Sequence, residues 1–130
     1  MQENFLVEII SPDKSVLKTE TAEVIIPSYE GQMGILRDHI PLITFLRPGL
    51  ITIKENNKDE LFFVEDGIVE FSNNNLLILT STAKSLNDLD KNSINEIIKI
   101  SQEKISKSEI SDKEKYLLSY KIDTLREINK

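Results

Sequence analysis

The chain holds one imidazole. His39 follows a carboxylate, Asp38, inside the stretch YEGQMGILRDHIPLI, residues 29–43. A histidine beside an acid is the usual beginning of general-base chemistry. Adjacent residues on an extended segment point to opposite faces, however, so Asp38 is poorly placed to orient the ring. His39 therefore reads as structural or interfacial. A single histidine with no cysteine anywhere in the chain does not make a typical zinc site. Gly31-x-x-Gly34 lacks the following Lys-Ser/Thr of a phosphate loop; it reads as one glycine with positive φ and one that permits close backbone approach. Glu65-Asp66 looks like a carboxylate pair but falls in a turn and reads as solvated charge. No catalytic group, metal or cofactor is expected. The residues point to work done through contacts, with the loop over 29–43 as the contact surface.

The elements that must hold this loop read as β-structure up to about Ala83. Short apolar runs cover Phe5–Ile10, Ala22–Ile26, Gly34–Leu36, Leu42–Leu46, Leu50–Ile53, Glu60–Val64, Ile68–Phe71 and Leu76–Leu79. Turn formers separate them: Ser11-Pro12-Asp13, Pro48-Gly49, Glu55-Asn56-Asn57-Lys58, Asp66-Gly67 and Asn73-Asn74-Asn75. Strands of this length and spacing predict a β-sandwich or flattened barrel. Asp66-Gly67 predicts a two-residue hairpin, since both positions take positive φ cheaply.

Beyond residue 84 glycine and proline vanish, and the apolar spacing becomes helical. Ile94, Ile97, Ile98 and Ile105 share one face, with Ser101 filling the gap, and Asn87 or Asp88 is the expected N-cap. A second helix begins near Ser111, where Ser111 and Glu114 fit a capping box. Its apolar side is Leu117 or Leu118, then Ile122, Leu125 and Ile128. The two helices join around Ser108-Glu109-Ile110 into a hairpin. The expected division is a β-sandwich over 1–84 and a mobile helical hairpin over 85–130. Each apolar stripe is narrow, so the pair depends on tertiary packing.

Residues 1–84 carry seven basic and 13 acidic side chains; residues 85–130 carry nine of each. A net charge of −6 argues against general affinity for nucleic acid or anionic membrane. The first residues lack the basic and long apolar regions of a secretory signal. No run reaches the roughly 18 apolar residues that cross a bilayer.

Several motifs, taken in order, carry a resemblance. They are the strand around LVEIISP, Glu30-Gly31 with Gly34-Ile35, His39-Ile40-Pro41-Leu42, Leu46-Arg47-Pro48-Gly49, and FFVEDGIVEF with Gly67 and Glu70. In this the chain resembles the epsilon subunit of bacterial F-type ATP synthase, called delta in mitochondria, over essentially its whole length. The resemblance implies a ten-stranded sandwich followed by two antiparallel helices. It also implies a non-catalytic place in the central stalk, between the gamma subunit and the ring of c subunits. Tyr29, Glu30, Gly31, Gln32 and Met33, with His39, Ile40, Pro41, Leu42 and Ile43, would then face the c-ring or gamma. The location implied is the cytoplasmic face of the bacterial inner membrane, reached only through the complex.

The family tail is regulatory in many members, reaching the catalytic alpha/beta head to block hydrolysis. Lys113, Lys115, Lys121 and Arg126 are the residues expected to act there, on a basic face that also holds Lys130. They alternate with Asp112, Glu114, Asp123 and Glu127, so attraction to an acidic surface is weakly driven. Leu89 and Asp90 match a nucleotide-responsive family motif, but Ser93 stands where that motif has arginine, which removes a main charged contact to phosphate. Arg37 and Asp38 replace the usual Pro and Gly and change the charge of the loop. The competing reading is an unrelated β-sandwich adaptor that dimerises or binds partners through its helices.

Overall fold

Alternating burial along each strand organises the first two thirds of the chain. In the computed structural model, which describes residues 3–56, 58–107 and 109–129, ten strands precede two helices. Asn57, Ser108 and Lys130, assigned above to a turn, the interhelical joint and the basic face, lie outside the described residues. The strands are β1 (Phe5–Ser11), β2 (Lys14–Thr21), β3 (Glu23–Ser28), β4 (Gly31–Leu36), β5 (Leu42–Leu46), β6 (Gly49–Ile53), β7 (Glu60–Val64), β8 (Gly67–Ser72), β9 (Asn75–Leu79) and β10 (Ala83–Ser85). A 3₁₀ turn, Leu86–Asp88, leads to α1 (Lys91–Ile105) and α2 (Asp112–Ile128).

The strands form one sheet in the order β10-β7-β6-β3-β5-β8-β9-β1-β2, with β4 on β3. It wraps around a single core. Phe5, Val7 and Ile9 of β1 face Val24, Ile26, Ile35, Ile51, Ile53, Phe62, Phe71 and Ile78 from the other strands. The alternation of buried and outward side chains along β1, β6 and β9 is the pleat. Phe5 and Phe71 meet edge to face at 5.5 Å. The β1–β9 pair is parallel and the remaining ladders are antiparallel.

Ten strands and two helices agree with the expectation, with local corrections. β2 and β10 are strands that the apolar pattern does not mark. Asp66-Gly67 is no hairpin: β7 pairs with β6 and β10, and β8 pairs with β5 and β9. The chain passes there from one layer to the other. Asn73-Asn74 is one of the tight two-residue turns, between Ser72 and Asn75, with φ of 50° and 58°, both in the left-handed region that a type I′ hairpin needs. Helix α1 is capped by Asp90, whose carboxylate accepts from the Ser93 N–H at 2.7 Å. Asn87 and Asp88 belong to the preceding 3₁₀ turn. Ser111 caps α2 as expected, accepting from the Glu114 N–H at 3.1 Å.

The helices are antiparallel, with Asn129 near the end of α2 donating to Asn95 near the start of α1 at 2.8 Å. They lie folded down on the outer face of β6 and β7. Leu50 and Phe63 are cross-strand neighbours there. They pack with Leu89, Ile94, Ile97, Ile98, Leu125 and Ile128 in a second apolar cluster. Ile94 and Leu125 are fully enclosed, and Ser101 is buried with them on the inner side of α1. Replacing Leu125 by Ala deletes a side chain with no exposed surface, at a cost of about 2–5 kcal/mol. The cost falls on tail docking: amide exchange in 91–129 accelerates in Leu125→Ala, while the amides of β1, β8 and β9 keep wild-type rates.

Candidate functional site

The stretch 29–43 begins as a tight hairpin. Tyr29 and Glu30 form the turn between Ser28 and Gly31, which are register partners. The Ser28 hydroxyl donates to the Gly31 carbonyl at 2.6 Å. Gly31 has φ of 122°, a conformation open mainly to glycine. At Gly34 the matter is space: a Cβ would stand 3.1 Å from the Glu23 carboxylate. Glu30 and Gln32 face solvent, and Met33 packs partly against the core.

The second half of the stretch is clamped from both sides. Arg37 Nη1 donates to the Asn4 carbonyl at 2.7 Å. Asp38 adopts φ of 66° and exchanges two hydrogen bonds with Asn74. Its N–H donates to Asn74 Oδ1 at 2.7 Å, and its carboxylate accepts from Nδ2 at 3.0 Å. Asp38 is thus tied to the β8–β9 turn. The His39 ring stands edge-on to Phe71 at 5.9 Å, with Nδ1 2.7 Å from the Ile40 carbonyl. His39 is therefore a wedge against the core. What the segment offers to solvent is apolar: Ile40 and Ile43 are 74% and 70% exposed, and Pro41 is exposed beside them. Leu42 turns inward against the core.

Ile43 opens onto a larger surface. On β5 the side chains alternate, and Ile43 and Phe45 point away from the core. Phe45 pairs with Ile68 of β8, which pairs with Leu79 of β9, so three large apolar side chains form a row across three strands. Each is more than 40% exposed. The row borders a groove of about 620 Å³ that Ile10, Pro12 and Tyr29 also line. Its polar end is occupied internally. The Asp66 carboxylate accepts from the Ser81 N–H at 3.1 Å and from its hydroxyl at 2.8 Å. The Thr80 hydroxyl reaches the Asp66 carbonyl at 2.6 Å. Asp66 is a bracket rather than freely solvated charge. Gly67 lets β8 and β9 meet behind the groove, since a Cβ there would lie 2.8 Å from the Leu79 carbonyl.

Sequence reasoning found Ile40 and Ile43 and missed Phe45, Ile68 and Leu79. The signal was present in LITFL, which is apolar on both faces although only one face can enter the core of a sandwich.

The tail meets the same hairpin from the other side. Tyr29 stacks on Tyr116 of α2 at 6.4 Å, and Tyr116 meets Tyr120 edge-on at 4.8 Å. The Arg47 guanidinium lies 3.8 Å over the Tyr120 ring while its Nε donates to the Ser28 carbonyl at 2.9 Å. Of the four basic tail residues singled out above, Lys121 pairs with Glu65, whereas Lys113, Lys115 and Arg126 face solvent. Glu65 is thus also engaged. Leu89 and Asp90 start α1: Leu89 packs in the tail cluster, and the Ser93 N–H holds the Asp90 carboxyl below its ordinary value.

Residues 4–85 match the family model described as ATP synthase, Delta/Epsilon chain, beta-sandwich domain. The chain belongs to the ATP synthase delta/epsilon family. It is 47% identical to the ATP synthase epsilon chain of Pelagibacter ubique over 130 residues, covering 99% of this chain and 100% of that one. The epsilon chain of Dichelobacter nodosus is 35% identical over 109 residues, covering 83% of this chain and 76% of the relative. Among solved structures, the fold is similar to a chain in the Euglena gracilis mitochondrial ATP synthase OSCP/F1/c-ring assembly. There the TM-score is 0.76 at 18% identity, covering 97% of this chain and 79% of that one. A chain of the Tetrahymena thermophila central stalk and c-ring gives a TM-score of 0.64 at 15% identity, covering 99% and 98%.

Two outcomes follow from this geometry. Gly67→Ala crowds the Leu79 backbone and the Leu46 side chain and lowers global stability by about 1–3 kcal/mol, read as a fall in Tm. Asp90 has a lowered carboxyl value in the fold, so its contribution is present above the ordinary carboxylate range. That contribution is lost as pH falls through the folded-state value. Helicity of the tail, followed by circular dichroism, declines on acidification, and Asp90→Ala removes that part of the pH dependence.

Proposed function

We propose that the chain is a non-catalytic central-stalk subunit of an F-type ATP synthase. The outer face of β5, β8 and β9 binds the gamma subunit, and the Glu30–Met33 segment with His39–Ile43 faces the c-ring. The carrying observation is the exposed apolar row Phe45–Ile68–Leu79 continued by Ile43 and Ile40. A contiguous apolar patch held on rigid strands marks a protein contact surface. The clamps on Asp38 and the wedge of His39 keep the neighbouring loop in one shape, which suits an element that must pass torque without yielding.

The place assigned is peripheral, on the cytoplasmic face of the bacterial inner membrane, held through the c-ring. No helix among the described residues is long and apolar enough to cross a membrane. Residues 85–130 form the separable unit, docked on residues 1–84. Lys113, Lys115 and Arg126 are the side chains left for an acidic surface of the catalytic head. Leu89, Asp90 and Ser93 are committed to starting α1, which favours a structural role for them over nucleotide binding. The docked tail also weighs against the adaptor reading, because its apolar stripe is spent on Leu50 and Phe63 and is not open for dimerisation.

The test is calorimetric titration of the full chain with the gamma subunit of the same complex. Phe45→Asp places a charge in the centre of the row while leaving the core untouched. It weakens gamma binding at least tenfold, about 1.4 kcal/mol or more, with an unchanged circular dichroism spectrum. Wild-type affinity in that variant overturns the assignment of the face.

A further inference from the structure

Tyr29 belongs to two surfaces at once. It lines the groove beside Phe45 and Ile68, and it stacks on Tyr116 of the tail with ring planes 22° apart. We propose that this one ring couples the two sites, so that an occupant of the groove and the docked tail each strengthen the other's binding. The proposal rests on the reading of the groove as the gamma-binding surface.

The contacts close a circuit. The Tyr29 N–H donates to the Phe45 carbonyl at 3.3 Å, which fixes the backbone of the hairpin tip against β5. Arg47 donates through its N–H to the Pro27 carbonyl at 3.0 Å and through Nε to the Ser28 carbonyl. Its guanidinium then covers Tyr120, Tyr120 meets Tyr116, and Tyr116 returns to Tyr29. The backbone under Tyr29 is therefore held by the sandwich and its ring by the tail. The ring is still 41% exposed with Tyr116 stacked on it, so losing Tyr116 removes an aromatic contact from a side chain already open to solvent.

No residue of α1 or α2 appears in the groove lining. Within this set of contacts the tail acts on an occupant through Tyr29. With the tail docked, the wall of the groove is preformed, and a partner packing on it does not have to order that side chain. Coupling of binding equilibria is reciprocal, so the partner that holds Tyr29 in place must stabilise tail docking by the same factor. Ordering one side chain sets the size of the effect at roughly two- to tenfold.

The experiment uses the full chain and the purified gamma subunit as the probe. Gamma affinity is measured for wild type, Tyr116→Ala, Tyr116→Phe, Tyr29→Ala and the Tyr29→Ala/Tyr116→Ala pair. Amide exchange across 112–128 is followed with and without gamma. The expected result is two- to tenfold weaker binding for Tyr116→Ala, wild-type binding for Tyr116→Phe, and slower exchange of α2 when gamma is bound. Once Tyr29 is Ala, adding Tyr116→Ala changes nothing further. The coupling is overturned if gamma binds yet leaves α2 exchange unchanged, or if Tyr116→Ala weakens binding equally in the Tyr29→Ala background. If gamma does not bind, or binds Phe45→Asp as it binds wild type, the reading of the face fails and the coupling falls with it. Tyr116→Phe keeps the ring and tests whether the hydroxyl matters, and the Tyr29→Ala background separates the coupling from a simple loss of tail folding.

Discussion

The sandwich closes at one seam, where the corner between β5 and β6 presses onto the end of β3. Gly49 lies so close to Pro27 that an added Cβ would stand 2.6 Å from the proline Cβ. Only a residue without a side chain permits that approach. On the same seam Arg47 donates to the Pro27 carbonyl and Tyr29 to the Phe45 carbonyl. β3 pairs with β6 near its start through Val24 and Ile25, and with β5 at its end through Ser28. One strand thus belongs to both layers. The open edge that a two-layer sheet would show there is removed, and with it a site for unwanted strand pairing. The seam also brings Tyr29, Phe45 and Arg47 to the one place where sandwich, groove and tail meet.

From that seam the two outer faces of the sandwich take different roles. The face of β6 and β7 is apolar because Leu50 and Phe63 are covered by the helices. The face of β5, β8 and β9 leaves Ile43, Phe45, Ile68 and Leu79 uncovered, with the exposed Glu70 between Ile43 and Leu77. A net charge of −6 opposes self-association through such an open patch, since like charge on the two copies repels. Family membership and the open patch bear on the function independently. One comes from the order of motifs along the chain, the other from which side chains the pleat turns outward.

Much of this was legible before any coordinates. The short apolar runs and the turn formers between them marked the sandwich, helical spacing marked the tail, and a positive φ in the Gly31-x-x-Gly34 pair is met at Gly31; the close backbone approach expected at the other glycine is not, since Gly34 faces only the end of the Glu23 side chain. The misses have physical causes. β2 reads KSVLKTET, and a charged edge strand lacks the apolar run that announces a strand while being suited to an edge. β10 pairs through only three residues, too few to leave a pattern. Asp66-Gly67 was misassigned because the dipeptide reports which φ values are cheap, not which strand comes next. The same permissiveness serves a crossing between layers. Phe45, Ile68 and Leu79 were overlooked because an apolar residue in a strand is assigned to the core by default, and only the register shows which ones the core does not use. Docking of the tail depends on Phe63, which by sequence is indistinguishable from its core neighbour Phe62.

The seat of the tail is narrow. Its apolar contact with the sandwich rests on two strand residues, Leu50 and Phe63, where the sandwich core draws on strands from both layers. Around that contact lie an ion pair between Lys121 and a half-exposed Glu65, a kind of interaction that contributes little in water, and an aromatic stack open to solvent on one side. Local stability follows buried apolar contact, so the helices are expected to open at lower free energy than the strands beneath them. The sandwich is tied by backbone ladders and clamped loops, a stiff arrangement, and the helices are attached to it by side chains, a more compliant one. Because the compliant part shares Tyr29 with the stiff one, a change at the groove need move only a single ring to be felt by the helices.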